Sequence, residues 1–78
     1  MKDKIKNIMS AVFEIDKTNI GDDASTTNLE NWDSINHMNL VLAIEEEFNI
    51  MFDDEEIVEI TSLNAIESTV SKKLNGDL

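Results

Sequence analysis

Seventy-eight residues hold 17 acids against six lysines and no arginine, a net charge of −11. That length predicts one small domain over residues 1–78, with a core too thin to enclose a deep substrate pocket. With 41% apolar residues the chain is too hydrophobic for a disordered acidic tail, and without cysteine it has no disulfide scaffold, thiolate metal site or cysteine nucleophile.

The N-terminal helix comes first. Ile5, Ile8, Met9, Val12 and Phe13 recur at spacings of three and four, which predicts an amphipathic helix over residues 3–15. Residues 16–33 lack a sustained period and are rich in Asp, Asn, Thr and Ser. A loop that long in so small a domain is usually functional or disordered. Ile20, Leu29 and Trp32 are expected to pin it to the core, which favours order. Residues 34–49 then give the strongest helix, capped by Asp33 or Ser34. The acids Asp53, Asp54, Glu55 and Glu56 suit the start of a short helix to about Ile60, because negative charge favours the positive end of the helix dipole. Thr61 or Ser62 caps a last helix bearing Leu63, Ile66, Val70 and Leu74, with Lys72 and Lys73 in its final turn and Gly76 just beyond. The expected fold is all-α: a small four-helix bundle with a long first loop and a short third helix.

The charge is unevenly placed. From Thr18 to Ser71 there are 13 acids and no basic residue. Nucleic acid and anionic membrane are both bound through lysine and arginine, so neither is expected as a partner. Basic protein surfaces are, although acids also serve simply to keep a small domain in solution. No apolar run approaches a membrane span and none follows the N-terminal lysines, so a cytoplasmic chain without a secretory leader is expected.

A step of about 100° per residue divides the 34–49 helix into two apolar stripes. Leu40, Val41, Ile44 and Phe48 share the side that four helices need for a core. Ile35, Met38 and Leu42 form the second, flanked by Asn39, Glu45 and Glu46. Either the bundle curls round to cover this second stripe, or it is a docking surface, apolar in the middle and acidic at the rim. Helical geometry alone leaves both open. Met38 suits docking, since its flexible thioether adapts to several partners. Ser34 stands at the top of the stripe.

Trp32-Asp33-Ser34-Ile35, followed by Met38-Asn39-Leu40-Val41-Leu42-Ala43-Ile44-Glu45-Glu46-Glu47-Phe48, closely resembles the acyl carrier proteins. The family's Asp-Ser-Leu attachment motif stands here as Asp33-Ser34-Ile35, and the resemblance covers nearly the whole chain. It implies a carrier and not an enzyme. Ser34 would take 4′-phosphopantetheine from coenzyme A by the action of a phosphopantetheinyl transferase. The arm's thiol would hold an acyl or aminoacyl group as a thioester for loading and transferring enzymes with basic docking surfaces. A chain without cysteine must borrow a thiol for such chemistry, as group carriers do. Asp33 would help orient the transfer complex, whose metal belongs to the transferase, so no metal site is expected in this chain. Asp33, Ile35, Met38, Leu42, Glu45 and Glu46 would form the docking face. A monomer is expected, because a face used by several enzymes should not be hidden in a dimer.

The departures from the family pattern carry information. Asn36, His37 and Asn39 stand where carriers of fatty-acid synthesis often have more acids. Trp32 replaces a small residue, Ile35 the usual leucine and Asp53 a common proline. These favour a specialised pathway over general fatty-acid synthesis. The alternative from another class is an unmodified acidic helical adaptor for basic proteins.

Two sharper chemistries fail. The wheel puts His37 among Leu40, Val41 and Ile44 rather than beside Ser34, and with glycine only at Gly21 and Gly76 there is no nucleophile elbow, so His37 is expected to pack or to anchor the loop. A calcium loop starting at Asp16 places Gly21 correctly but has Thr18, Ile20 and Thr27 where oxygen-rich ligands are needed. Ile57, Val58 and Ile60 either line a cleft for an acyl chain, as in fatty-acid carriers, or belong to the core; the core is expected, with any cleft opening only on loading. Trp32 either packs on the loop or lies partly exposed near the arm, and a loop anchor is expected.

Overall fold

The computed structural model describes residues 1–75. Its four α-helices are α1 (Lys2–Phe13), α2 (Ser34–Phe48), α3 (Asp54–Glu59) and α4 (Leu63–Leu74). This is the all-α bundle that the periodicity predicts. Ile5, Met9 and Phe13 repeat every four residues on α1 and are buried, while Ile8 and Val12 flank them half-buried. The helix stops short of the predicted Ile15 because Glu14 turns left-handed, at φ 56°, and donates its N–H back to the Ser10 carbonyl. Ile15 adds a second such bond to Ser10 at 3.2 Å.

The long loop is ordered by bonds that its polar residues make with backbone. Asp16 accepts from the Thr18 N–H and starts a 3₁₀ turn over Lys17–Asn19. Beyond it Ile20 and Ala24 are buried. An antiparallel bridge pairs Ser25 with Ser62. On either side of it, the Thr26 N–H reaches the Thr61 carbonyl at 3.0 Å and the Leu63 N–H reaches that of Ala24 at 2.9 Å. The loop is thus stitched to the α3–α4 connection, which no local period announces. Trp32 is buried against Phe13, their ring centroids 5.3 Å apart. Asn31 donates to the Phe13 carbonyl at 2.8 Å, satisfying an acceptor left over at the end of α1. Leu29, the third predicted anchor, is half-buried against the core.

Leu40, Val41 and Ile44 of α2 join Ile60, Leu63, Ile66 and Val70 and the α1 residues in one core. Phe48, assigned to that core by the wheel, is only partly covered, and the Lys4 ammonium stands 5.7 Å from its ring centroid. Phe52, which carries no periodic signal, is buried where the chain returns from α2 to α3. Val58 is a correction: 74% exposed, it lies outside the core that Ile60 enters fully and Ile57 in part. On a helix of six residues only one narrow stripe can face inward, and Val58 is off it.

Helix ends follow the chemistry of their caps. Glu56 accepts from the Asp53 N–H at 2.8 Å and pairs with Lys73 at 2.9 Å. Ser62, rather than Thr61, caps α4, its hydroxyl accepting from Ala65. Lys72 and Lys73 lie in the last turn of α4, and the predicted stop at Gly76 falls outside the described residues.

Candidate functional site

Helix α2 begins at Ser34, with Asp33 as its cap. The Asp33 carboxylate accepts from the Asn36 N–H at 2.8 Å, and the Asp33 carbonyl accepts the first helical bond, from His37, at 2.8 Å. The N–H groups of Ser34 and Ile35 have no carbonyl four residues back within the helix, and they point towards its N-terminal end. Ser34 is therefore an exposed hydroxyl at the positive end of a 15-residue helix dipole. Such an end favours a covalently attached phosphate.

The second stripe is uncovered. Ile35, Met38 and Leu42 are 74%, 45% and 59% exposed. Helix α1 packs on the other side of α2, where the buried residues of α4 complete the core, and the six residues of α3 leave the stripe uncovered. Glu46 and Asp33 are exposed beside the stripe. Glu45 is half-buried, with one carboxylate oxygen accepting from the Phe52 N–H at 2.8 Å, so it also closes the α2–α3 connection. Among the described residues, the ion pairs lie elsewhere. Lys2 and Lys6 meet Asp22, Lys2 also meets Glu67, Lys4 meets Glu47, Lys17 meets Asp3 and Lys73 meets Glu56. The lysines neutralise the α1 and α4 side and leave the Ser34 face negative.

His37 anchors the loop. Its Nδ1 accepts from the Trp32 indole N–H at 2.9 Å, and its Nε2 lies 2.7 Å from the Ile57 carbonyl. Both bonds require the neutral imidazole with its proton on Nε2. The Ile57 carbonyl is in the last turn of α3 and has no helical donor, so His37 satisfies an acceptor that would otherwise be partly buried and unpaired. Ser34 is not hydrogen-bonded to this histidine, and no nucleophile–base pair is formed.

An open groove of about 400 Å³ adjoins Ser34, lined by Thr26, Trp32, Asp33, His37, Met38, Val58 and Thr61 as well. Thr26 and Thr61 line the groove without any signal in the sequence periodicity, and Val58, expected in the core, lines it too. The loop–linker bridge brings both threonines there, and a tertiary pairing of that kind has no local signal. The residues fit a phosphopantetheine arm: a free hydroxyl, a helix N-terminus and an unfilled groove beside them. No group of three or more metal-binding side chains converges among the described residues.

The family model for phosphopantetheine attachment sites matches residues 3–70. The chain belongs to the acyl carrier protein family. It is similar to the acyl carrier protein of Petrotoga mobilis, at 32% identity over 75 residues, covering 96% of this chain and 88% of that one. The acyl carrier protein of Guillardia theta is 33% identical over 72 residues, covering 92% and 89% respectively. Among solved structures, holo acyl carrier protein from Geobacter metallireducens superposes with a TM-score of 0.85 at 28% identity, covering 97% of this chain and 87% of that one. As a member of the acyl carrier protein family the chain is a carrier and not an enzyme, and its prosthetic group is covalent 4′-phosphopantetheine. No helix among the described residues is long and apolar enough to cross a membrane.

Proposed function

We propose that Ser34 bears the phosphopantetheine and that the chain is a monomeric cytoplasmic carrier of a specialised pathway. The observation that carries the attachment site is the exposed Ser34 hydroxyl at the start of α2, with Asp33 as cap and an open groove alongside. In the transfer, the Ser34 oxygen bonds to phosphorus of coenzyme A as the pyrophosphate bond breaks. Adenosine 3′,5′-bisphosphate leaves, and the hydroxyl proton passes to the transferase. The arm's thiol then holds the acyl or aminoacyl cargo as a thioester. The metal ion that assists the transfer belongs to the transferase.

Asp33, Ile35, Met38, Leu42, Glu45 and Glu46 form the docking face for the transferase and for the enzymes that load and unload the cargo. An uncovered apolar stripe beside uncompensated acids supports this, because it gives fast electrostatic encounter with basic surfaces and modest residence. Covalent tethering raises the local concentration of cargo at each docked enzyme without any chemistry by the carrier. The specialised role rests on Trp32, Asn36, His37 and Asn39 in and around the attachment motif.

Intact mass after incubation with coenzyme A, magnesium and a broad-specificity transferase tests the attachment. The parent gains one phosphopantetheine and Ser34→Ala gains none. A gain in both moves the site elsewhere, and a gain in neither restores the unmodified adaptor. Efficient loading and elongation by the enzymes of general fatty-acid synthesis would refute the specialised role.

A further inference from the structure

Wherever the arm leads from Ser34, the groove beside it has a floor. Trp32 is 5% exposed and tilted against Phe13, at 39° between the ring planes, and His37 is stacked beside it at a centroid distance of 6.2 Å. In the core to which Trp32 belongs, Ile44, Ile60 and Ile66 are completely buried. The two rings are tied to each other and to α3 by the indole–imidazole bond and the bond to the Ile57 carbonyl. An apolar chain moving from the groove into the core must part α3 from α2. That breaks the His37–Ile57 bond and leaves two partly buried polar groups without partners. Outside the floor, the groove wall mixes Thr26 and Thr61 with Met38 and Val58 and stays open to water.

We propose that Trp32 and His37 are specificity-determining residues: together they close the bundle to the tethered cargo, so that the carrier shelters no long acyl chain and suits short or polar groups held in the open groove. A long alkyl chain finds no apolar enclosure there and stays in water, whereas a small hydroxylated, amino or carboxylated group needs none. The inference rests on the carrier reading with Ser34 as the attachment point. It adds that the carrier does not hide its cargo.

The test uses the full chain with isoleucine methyls labelled, converted by a transferase with acetyl-, butyryl- and octanoyl-coenzyme A. Intact mass first establishes loading at Ser34, by comparison with Ser34→Ala. In the parent, the methyl signals of Ile44, Ile60 and Ile66 stay fixed from acetyl to octanoyl, and hydroxylamine cleaves the three thioesters at rates within about twofold of one another, as expected of fully hydrated groups. In His37→Ala, and in Trp32→Phe, which keeps an aromatic ring beside Phe13 but removes the pyrrole part of the indole with its N–H, octanoyl displaces the core methyl signals and its cleavage slows several-fold. Octanoyl shifting those methyls or resisting cleavage in the parent overturns the closed floor while leaving the carrier intact. Both variants behaving as the parent overturns the assignment to Trp32 and His37. Failure of Ser34 to load overturns the carrier reading itself, and this inference with it.

Discussion

The indole N–H of Trp32 donates to His37 Nδ1 across 2.9 Å, joining the last turn of the long loop to the first turn of α2. Through the Nε2 of the same imidazole the link continues to α3. Three segments that meet around the groove beside Ser34 therefore hang on one side chain.

Removing that side chain should cost stability out of proportion to its volume. His37→Ala leaves the Trp32 N–H and the Ile57 carbonyl unpaired in partly buried positions, a loss of about 1–3 kcal/mol. In a domain of this size each kcal/mol lowers Tm by roughly 4–8 °C. Urea unfolding followed by the fluorescence of Trp32 checks it. An unchanged midpoint would mean that water replaces both bonds without cost.

Asp33 caps α2 and is proposed to orient the transfer complex, two roles that substitution can separate. Asp33→Ala removes the α2 cap and should destabilise by about 1 kcal/mol, whereas Asp33→Asn keeps an acceptor for the Asn36 N–H and should stay near the parent. Both remove the carboxylate beside Ser34. Transfer of phosphopantetheine should slow in both, at least tenfold by intact-mass time course, while thermal melts distinguish them. Full-speed transfer to Asp33→Asn would limit Asp33 to capping.

On the exposed stripe the expected pattern is the reverse. Leu42→Asp should leave stability within about 0.5 kcal/mol, because the side chain is already in water. Binding to the transferase should weaken roughly tenfold, the loss of about 1.4 kcal/mol that a central apolar contact supplies. Calorimetric titration of the Ser34→Ala form, which cannot be consumed, measures this directly.

Acid acts on Glu56 in a defined direction. The Asp53 N–H and then the Lys73 ammonium hold its carboxyl below the ordinary glutamate range. A lowered folded-state value means that the added stability is complete above the ordinary range and is lost as pH falls through the folded value. The stability difference between the parent and Glu56→Gln should therefore favour the parent at neutral pH and shrink towards zero in acid. A difference that stays constant with pH would show that the carboxylate's charge contributes nothing.

With a net charge of −11, and no lysine between Thr18 and Ser71, self-repulsion should respond to cations. At low ionic strength, about 10 mM magnesium should raise Tm by several degrees through screening and weak binding along Glu45–Glu47 and Asp53–Glu56. Sodium chloride at high concentration should reproduce most of the effect. A melting temperature unmoved by either would mean that the acids are too far apart to repel.

The sequence by itself determined the helices, narrowed the caps of α2 and α4 to two adjacent residues each and displayed the motif that resembles an attachment site, because these depend on neighbours within a turn or two. The period of Ile5, Met9 and Phe13, the Asp33 cap before Ser34 and the Ser62 cap before Leu63 are all local facts. Trp32 was legible as an anchor because a lone indole in a polar loop has to be buried somewhere. Tertiary structure decided the rest. Whether Ile35, Met38 and Leu42 were covered depended on how far α1, α3 and α4 reach round α2, which no wheel contains. Val58 left the core because six residues of α3 offer only a narrow inward stripe. Thr26 and Thr61 came to the groove through the Ser25–Ser62 bridge, and His37 found its two partners at separations of five and 20 residues. Hydrogen bonds between segments remote in the chain are chosen by the packed core, and leave no period in the sequence to read.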